Sequence, residues 1–266
     1  MFKSNIISLN NEKKIIKYLL NIRYPYKEIN NKQINHLKSI YPNISKELLE
    51  SMKSSYIKTN LLIQYAHAKL NSTMISEEYS NTNILKLSEK YKISPINIFR
   101  LVLKHRGFDN QSIRNLINNP EALNDYDSKQ FELACEYDNY SFVDEDEILK
   151  KSLEYEKKIE KILQNNNIKY ETQEELVEQQ KNEFGKPIST PDFLIKSDLF
   201  INNIKINWIE VKNFYGANNN FVVGKIKKQI SKYNKNYGTG CLLFKYGYCS
   251  KLLNYEEFKN NVIQNL

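Results

Sequence analysis

Three charged residues sit where strand-forming apolar residues prevail: Asp192, Glu210 and Lys212 in the stretch STPDFLIKSDLFINNIKINWIEVKNFYG, residues 189–216. Side chains of a strand alternate between its two faces. Counted from Ile204, that rule puts Ile206, Trp208, Glu210 and Lys212 on one face and Lys205, Asn207, Ile209 and Val211 on the other. Burying a lone charge is costly, so Glu210 and Lys212 need each other or a compensating ligand. Asp192 opens the preceding strand, and a hairpin or meander pairing brings it across the ladder to Glu210. Two carboxylates so placed repel unless a cation lies between them or one takes up a proton. Mg²⁺, or Mn²⁺ in its place, suits such a pair, because it accepts one or two carboxylates and leaves its other positions to water and phosphate. The expected chemistry is metal-assisted phosphodiester hydrolysis. Asp192 and Glu210 hold the cation, and Lys212 orients the attacking water or stabilises charge developing on phosphorus. Whether the product ends in a 3′-hydroxyl or a 3′-phosphate stays open.

The Glu-x-Lys spacing recurs at 12–14, 156–158, 210–212 and 257–259. Only the third lies in a β-rich, Trp-containing run after a Pro-Asp strand start; the others read as solvated helix charges. Glu156 is a separate candidate. It falls on an apolar helical stripe between Leu153 and Ile159, where it would meet the metal directly or through water, or snorkel at the stripe's edge. Gln229 and Tyr233, four apart in QISKY, stack on one helix face and would fix a phosphate or orient the lysine.

The elements that must carry these residues fall into two halves. Residues 1–140 repeat apolar side chains at helical spacing and read as an all-helical domain with helix-turn-helix units. The acidic run DEDE, 144–147, marks the boundary. Residues 141–266 begin with a helix whose buried stripe is Ile148, Leu149, Leu153, Ile159, Ile162 and Leu163. The β-rich runs DFLI, LFI, IKINWIEVK and GCLLFKYGY follow, with a helix before the last. That order makes an α/β sheet domain, and the whole an α+β two-domain chain.

In the first half, ILKLSEKYKISPINIFRLVLKHRG reads as a helix, a turn, and a second helix with Ser94 as N-cap, Pro95 at its first position and Gly107 as its stop. This second helix buries Ile98, Phe99, Val102 and Leu103 and turns Asn97, Arg100 and Lys104 outward, the layout of a helix that meets phosphates or base edges. HLKSIYPNISKELLESMKSSY shows a similar order and is a candidate weak repeat. The formal net charge of +8 fits an anionic partner, nucleic acid above all. Three scattered cysteines and three isolated histidines disfavour a disulfide framework and a zinc site, so a metal would be held by oxygen. With neither signal peptide nor bilayer-spanning run, a reducing compartment, cytoplasm or nucleus, is expected and no membrane partner.

Together, the carboxylate-bearing helix, Pro191-Asp192, Glu210-Val211-Lys212 and Gln229-x-x-x-Tyr233 resemble the PD-(D/E)xK, restriction-endonuclease-like nucleases. TPDF, WIEVKNFYG, the Gln-x-x-x-Tyr helix and CLLFKYGY, after a helical half, are similar to the TPD-motif family that includes the codanin-interacting nuclease. The resemblance covers the second half and matches the first in layout. It implies a restriction-endonuclease-like domain with a mixed central sheet and a divalent-metal-dependent nuclease acting on DNA or RNA. Its catalytic residues would be Asp192, Glu210 and Lys212, with Glu156 as the helix carboxylate. A codanin-like protein partner and nuclear residence are further implications. The competing expectation is a catalytically silent nucleic-acid-binding scaffold that docks such a partner.

Overall fold

A computed structural model describes residues 5–141 and 145–265; Asp144, first residue of the acidic boundary run, lies outside them. In chain order the elements are β1 (Ile6–Ile7), α1 (Leu9–Leu20), α2 (Asn31–Ile40), α3 (Lys46–Leu70), α4 (Ser72–Tyr79), α5 (Ile84–Tyr91), α6 (Pro95–His105), α7 (Asn110–Asn118), α8 (Asp125–Tyr137) and α9 (Glu145–Asn165). There follow β2 (Tyr170–Thr172), α10 (Gln173–Phe184), β3 (Phe193–Ile195), β4 (Phe200–Ile201), β5 (Ile204–Lys205), β6 (Trp208–Lys212), α11 (Asn220–Tyr237), β7 (Cys241–Phe244), β8 (Tyr248–Cys249) and β9 (Val262–Asn265). The protein is α+β, and its largest sheet is mixed. No helix among the described residues is long and apolar enough to cross a membrane.

The chain groups into two compact units, and neither is a continuous half: Met1–Lys17, Ile34–Ser55 and Glu145–Leu266 form one, Tyr18–Gln33 and Tyr56–Asp144 the other. The expected boundary at 140/141 is thus too simple. The physical reason lies in hydrogen bonds that tie early residues to the sheet's loops. Glu12 is fully buried and its Oε1 accepts from Asn218 N at 3.0 Å, while Ser51 Oγ accepts from Tyr215 N at 2.8 Å. Glu12 was read as a solvated helix charge; it is a buried carboxylate instead.

In the helical unit, α5 and α6 form as the capping residues dictate. Asn83 and Ser94 accept from Leu85 N and Asn97 N, and Lys92 makes the left-handed turn between the helices at φ 56°. The faces of α6 differ from expectation. Ile96, Ile98, Phe99, Leu101, Val102 and Leu103 are all buried, so the helix is packed nearly all round. Asn97 is buried as well, and Arg100 is turned inward, its Nη1 donating to Asn97 Oδ1 at 3.2 Å and to Ser141 O at 3.3 Å. Burial lowers the Arg100 pKa. Of the three residues expected to face outward, Lys104 alone is exposed. With apolar side chains on every side of α6, no polar stripe was left to face solvent.

The sheet unit is built on the order β2-β3-β6-β7-β9, with β2/β3 and β3/β6 antiparallel and β6/β7 and β7/β9 parallel. Alternation sorts its side chains cleanly. Leu194, Trp208, Leu242, Phe244 and Ile263 meet Val223, Ile226, Ile230 and Tyr233 of α11. On the opposite face Phe193, Ile195, Ile209, Val211, Cys241, Leu243 and Val262 meet Tyr155, Ile159 and Leu163 of α9. The apolar stripe of α9 is therefore its second half; Ile148, Leu149 and Leu153 are exposed.

The run read as one strand from Ile204 to Lys212 is two. β4 and β5 form their own hairpin over Asn202 and Asn203, both with positive φ (53° and 63°), as a two-residue hairpin turn requires. Ile206 then joins the α9 side and Trp208 the α11 side, so the alternation counted from Ile204 breaks at Asn207 and resumes from Trp208. The sequence reading also passed over β1, β2, β9 and α10.

Candidate active site

Asp192 and Glu210 are brought together by the β3/β6 ladder. Phe193 pairs with Ile209 and Leu194 with Trp208, so one further step of that antiparallel register sets Asp192 opposite Glu210. Asp192 Oδ2 accepts from Val211 N at 2.6 Å, which ties its carboxylate to the strand carrying Glu210. Lys212 lies on the same face as Glu210, and its Nζ is 2.5 Å from Glu210 Oε1; the two side chains are 14% and 5% exposed. The expected pairing of strand charges holds because β6 keeps its alternation from Trp208 onward.

From α11, Gln229 completes the cluster. Its Nε2 donates to Glu210 Oε1 at 2.6 Å, and its Oε1 accepts from Lys212 Nζ at 3.0 Å. Tyr233 OH lies 3.0 Å from Gln229 Nε2 and donates to Thr190 O at 3.1 Å, linking α11 to the residue two before Asp192. Gln229 and Tyr233 therefore hold the charged residues in place, as the four-residue spacing anticipates.

The electrostatics follow from crowding acids away from water. Burial, then the Glu210 charge, pushes the Asp192 pKa up to about 8, against the lowering pull of Val211 N–H and Lys212. Glu156 is half-buried, and its pKa is raised by burial and then by Glu210 and Glu174. The helix carboxylate therefore lies within the electrostatic reach of Glu210 and Lys212, although Leu153, its expected neighbour on the stripe, is exposed. Tyr233 is held in its neutral form by burial and Glu210.

The donor set can be tested against a divalent cation. Glu210 Oε2 is buried and has no hydrogen-bond partner among the described residues. A buried anionic oxygen left bare is expensive, and a hard cation is the ligand that satisfies it. Two carboxylates on adjoining strands, one with an orphaned oxygen and the other driven toward protonation by burial and by its neighbour, fit Mg²⁺. Among the described residues no three His, Cys, Asp or Glu side chains gather as a ready-made metal cage, and the link between Glu156 and the pair is the electrostatic one.

Two residues escaped the sequence reading. Gln180 of α10 donates from Nε2 to Ser189 O at 2.7 Å and to Tyr237 OH at 3.1 Å, while its Oε1 accepts from Ile188 N and Ser189 N at 2.6 and 2.8 Å. Tyr237 OH donates to the same Ser189 carbonyl at 2.5 Å. Together they clamp the segment leading into Thr190-Pro191-Asp192. Tyr237 was findable, since it continues the Gln229, Tyr233 spacing by another four residues; Gln180 gives no such signal.

Fold and cluster define an α+β protein whose mixed sheet presents acids and a lysine beneath a Gln/Tyr-bearing helix. Its sequence matches the family described as "Protein of unknown function TPD sequence-motif" over residues 124–265, and the chain belongs to that family. Thr190-Pro191-Asp192 and the whole cluster from Glu156 to Tyr233 lie inside the match. The chain is also similar to "Uncharacterized protein L539" of Acanthamoeba polyphaga mimivirus, with 29% identity over 110 residues, 40% of this chain and 38% of that protein. That similarity thus spans well under half of the relative's length. No solved structure matches the chain.

Proposed function

We propose that the protein is a divalent-metal-dependent nuclease of PD-(D/E)xK type, hydrolysing phosphodiester bonds in DNA or RNA. One observation carries the reading: Glu210 Oε2 is buried and has no partner among the described residues, across the β3/β6 ladder from an Asp192 whose proton affinity is raised by burial and then by the Glu210 charge, with the Lys212 ammonium alongside. Asp192 and Glu210 would hold Mg²⁺ or Mn²⁺. When bound, the metal supplies a lowered pKa for water and positive charge at the phosphate. Lys212 sits beside the carboxylates to orient the nucleophile or to meet charge developing on the phosphoryl oxygens. Gln229 fixes the Lys212 amine through Oε1 and anchors itself through Tyr233 to the Thr190 carbonyl. Glu156 adds a further negative charge that favours a cation in the site. The net charge of +8 supports an anionic polymer as substrate. The test is incubation with labelled single-stranded, duplex, flap and junction substrates, in Mg²⁺ or Mn²⁺ and again with chelator. Metal-dependent cutting that disappears in Asp192→Asn and Lys212→Met is expected; cutting that survives either substitution rules the reading out.

One observation favours a second reading. Glu210 Oε1 is already satisfied by Lys212 and Gln229, so part of the cluster closes on itself as an internal ion network. A catalytically silent nucleic-acid-binding scaffold that docks a codanin-like partner in the nucleus would use it so. Then Asp192→Asn would leave function in cells intact.

A further inference from the structure

Helix α11 carries a second feature that the cluster does not use. Lys225, Lys228 and Lys232 recur at intervals of three and four, and all three are exposed. Side chains so spaced line one face of a helix. None forms an ion pair with an acidic residue among the described residues, unlike Lys227 on a neighbouring face, which is 2.9 Å from Glu257. Lys225 instead lies 4.2 Å from the ring centroid of Phe221, which is itself exposed. The three lysines do not stand on an ordinary solvated face. They line a cleft of about 480 Å³ together with Thr190, Gln229 and Tyr233, the residues that connect Asp192 to Lys212.

Three ammonium groups along one wall, with no acidic partner among the described residues, favour an anionic occupant of the cleft. A rise of about 1.5 Å per residue separates Lys225 from Lys232 by about 10 Å along the axis. One B-form strand advances about 3.4 Å per nucleotide, so that length takes in about three successive phosphates. Lysine is a compact, strongly hydrated point charge on a flexible stem, suited to phosphates of any sequence rather than to a particular base.

We propose that this face of α11 is the rail along which the phosphates of one nucleic-acid strand lie, sequence-independently, with Thr190, Gln229 and Tyr233 along the side that leads to the carboxylates. The proposal rests on the nuclease reading for its direction but not for its binding. The rail requires a strand beside α11, whether or not that strand is cut. It is also separate from α6, where Lys104 is the exposed member of the expected trio.

The experiment is binding of a fluorescein-labelled oligonucleotide, single-stranded and duplex, to the full chain by anisotropy, in chelator so that nothing is cut, across a range of salt. Lys225→Gln/Lys228→Gln/Lys232→Gln is compared with Lys32→Gln/Lys38→Gln/Lys46→Gln, since either triple lowers the formal net charge from +8 by three to +5. Each lost phosphate contact removes about 0.7 to 0.9 from the slope of log affinity against log salt. The rail triple should therefore flatten that slope by about 2 to 3 and weaken binding at least tenfold at low salt, while the control stays near wild type. Equal effects of the two triples would reduce the rail to net charge and overturn it, as would no binding by wild type. A poly-glutamate peptide of matched charge bound equally well through the same lysines would assign the face to an acidic polypeptide and overturn it too. Binding lost with the rail triple in a protein that cuts nothing in Mg²⁺ would leave the rail standing and remove the nuclease.

Discussion

Gln180 and Tyr237, from two different helices, converge on a single carbonyl, that of Ser189, at 2.7 and 2.5 Å. The chain reaches Asp192 three residues later, so the placement of the candidate metal carboxylate depends on a turn gripped from α10 and α11. Gln180 is buried and takes both Ile188 N and Ser189 N on its own oxygen. Gln180→Ala strips the Ile188 and Ser189 amides of their partner, while the Ser189 carbonyl keeps Tyr237 OH, and each buried group left unsatisfied costs about 1–3 kcal/mol. Gln180→Ala should therefore lower stability by a few kcal/mol in urea unfolding. Tyr237→Phe, which keeps the ring, should cost about 1 kcal/mol.

Lys212 neutralises an acid pair that would otherwise face only its own repulsion. Removing one partner of a buried ion pair typically costs about 3–5 kcal/mol; with Lys212 at 14% exposure the lower end is expected. Lys212→Met should reduce the unfolding free energy measured in urea at pH 7. The loss should grow from pH 7 to pH 9, where Asp192, its pKa pushed up to about 8 by burial and by Glu210, gives up its proton.

Asp192 also gives a pH dependence with an unusual sign for an aspartate. Its native pKa lies at about 8, above the ordinary aspartate value of 3.8, so the native state holds the proton more tightly than the unfolded chain. Stability from this group is complete below about pH 4 and is lost as pH rises through about 8. Metal-free protein should show a Tm that falls between pH 5 and pH 8. Asp192→Asn should flatten that slope, and Mg²⁺ should raise the wild-type Tm more at pH 8 than at pH 5 while leaving the variant unmoved. A Tm that rises across this window in metal-free wild type would contradict the crowded acid pair.

Much of this site was legible because it depends on short-range periodicities. Glu210 and Lys212 are two apart in a strand, Gln229 and Tyr233 four apart in a helix, and a proline announces the strand that follows Asp192. Each of those relations survives in space. The failures come where tertiary packing outvotes local pattern. The alternation counted from Ile204 could not foresee the Asn202-Asn203 hairpin that detaches β5 from β6. Ile148, Leu149 and Leu153 match the helical stripe, yet they stay exposed, and Tyr155, Ile159 and Leu163 pack on the sheet instead. Glu12 looked like any surface glutamate until a loop amide more than 200 positions away supplied its partner.

Arg100 shows the same lesson in testable form. It was expected to face nucleic acid, but its guanidinium is turned onto Asn97 Oδ1 and Ser141 O within the helical unit. Arg100→Ala should therefore act on stability, by about 1–3 kcal/mol for the hydrogen-bonded groups left behind, and should leave the salt slope of oligonucleotide binding unchanged. Lys104→Ala, at an exposed position, should change stability by less than about 0.5 kcal/mol.

Gly240 supports the candidate site from below. A Cβ at this position would come within 2.0 Å of Trp208 Cδ2 and 2.1 Å of Cε2. The ring cannot retreat, because its Nε1 donates to Gly238 O at 2.7 Å and its face packs edge-on against Tyr233, with centroids 5.2 Å apart. Overpacking of this kind costs about 1–3 kcal/mol when neighbours shift to absorb it. The shift would pass along β6 to Glu210 and through Tyr233 to Gln229. Gly240→Ala should thus lower the urea midpoint and also weaken the Mg²⁺-induced rise in Tm at pH 8, whereas Gly224→Ala, with open space around its Cβ, should do neither.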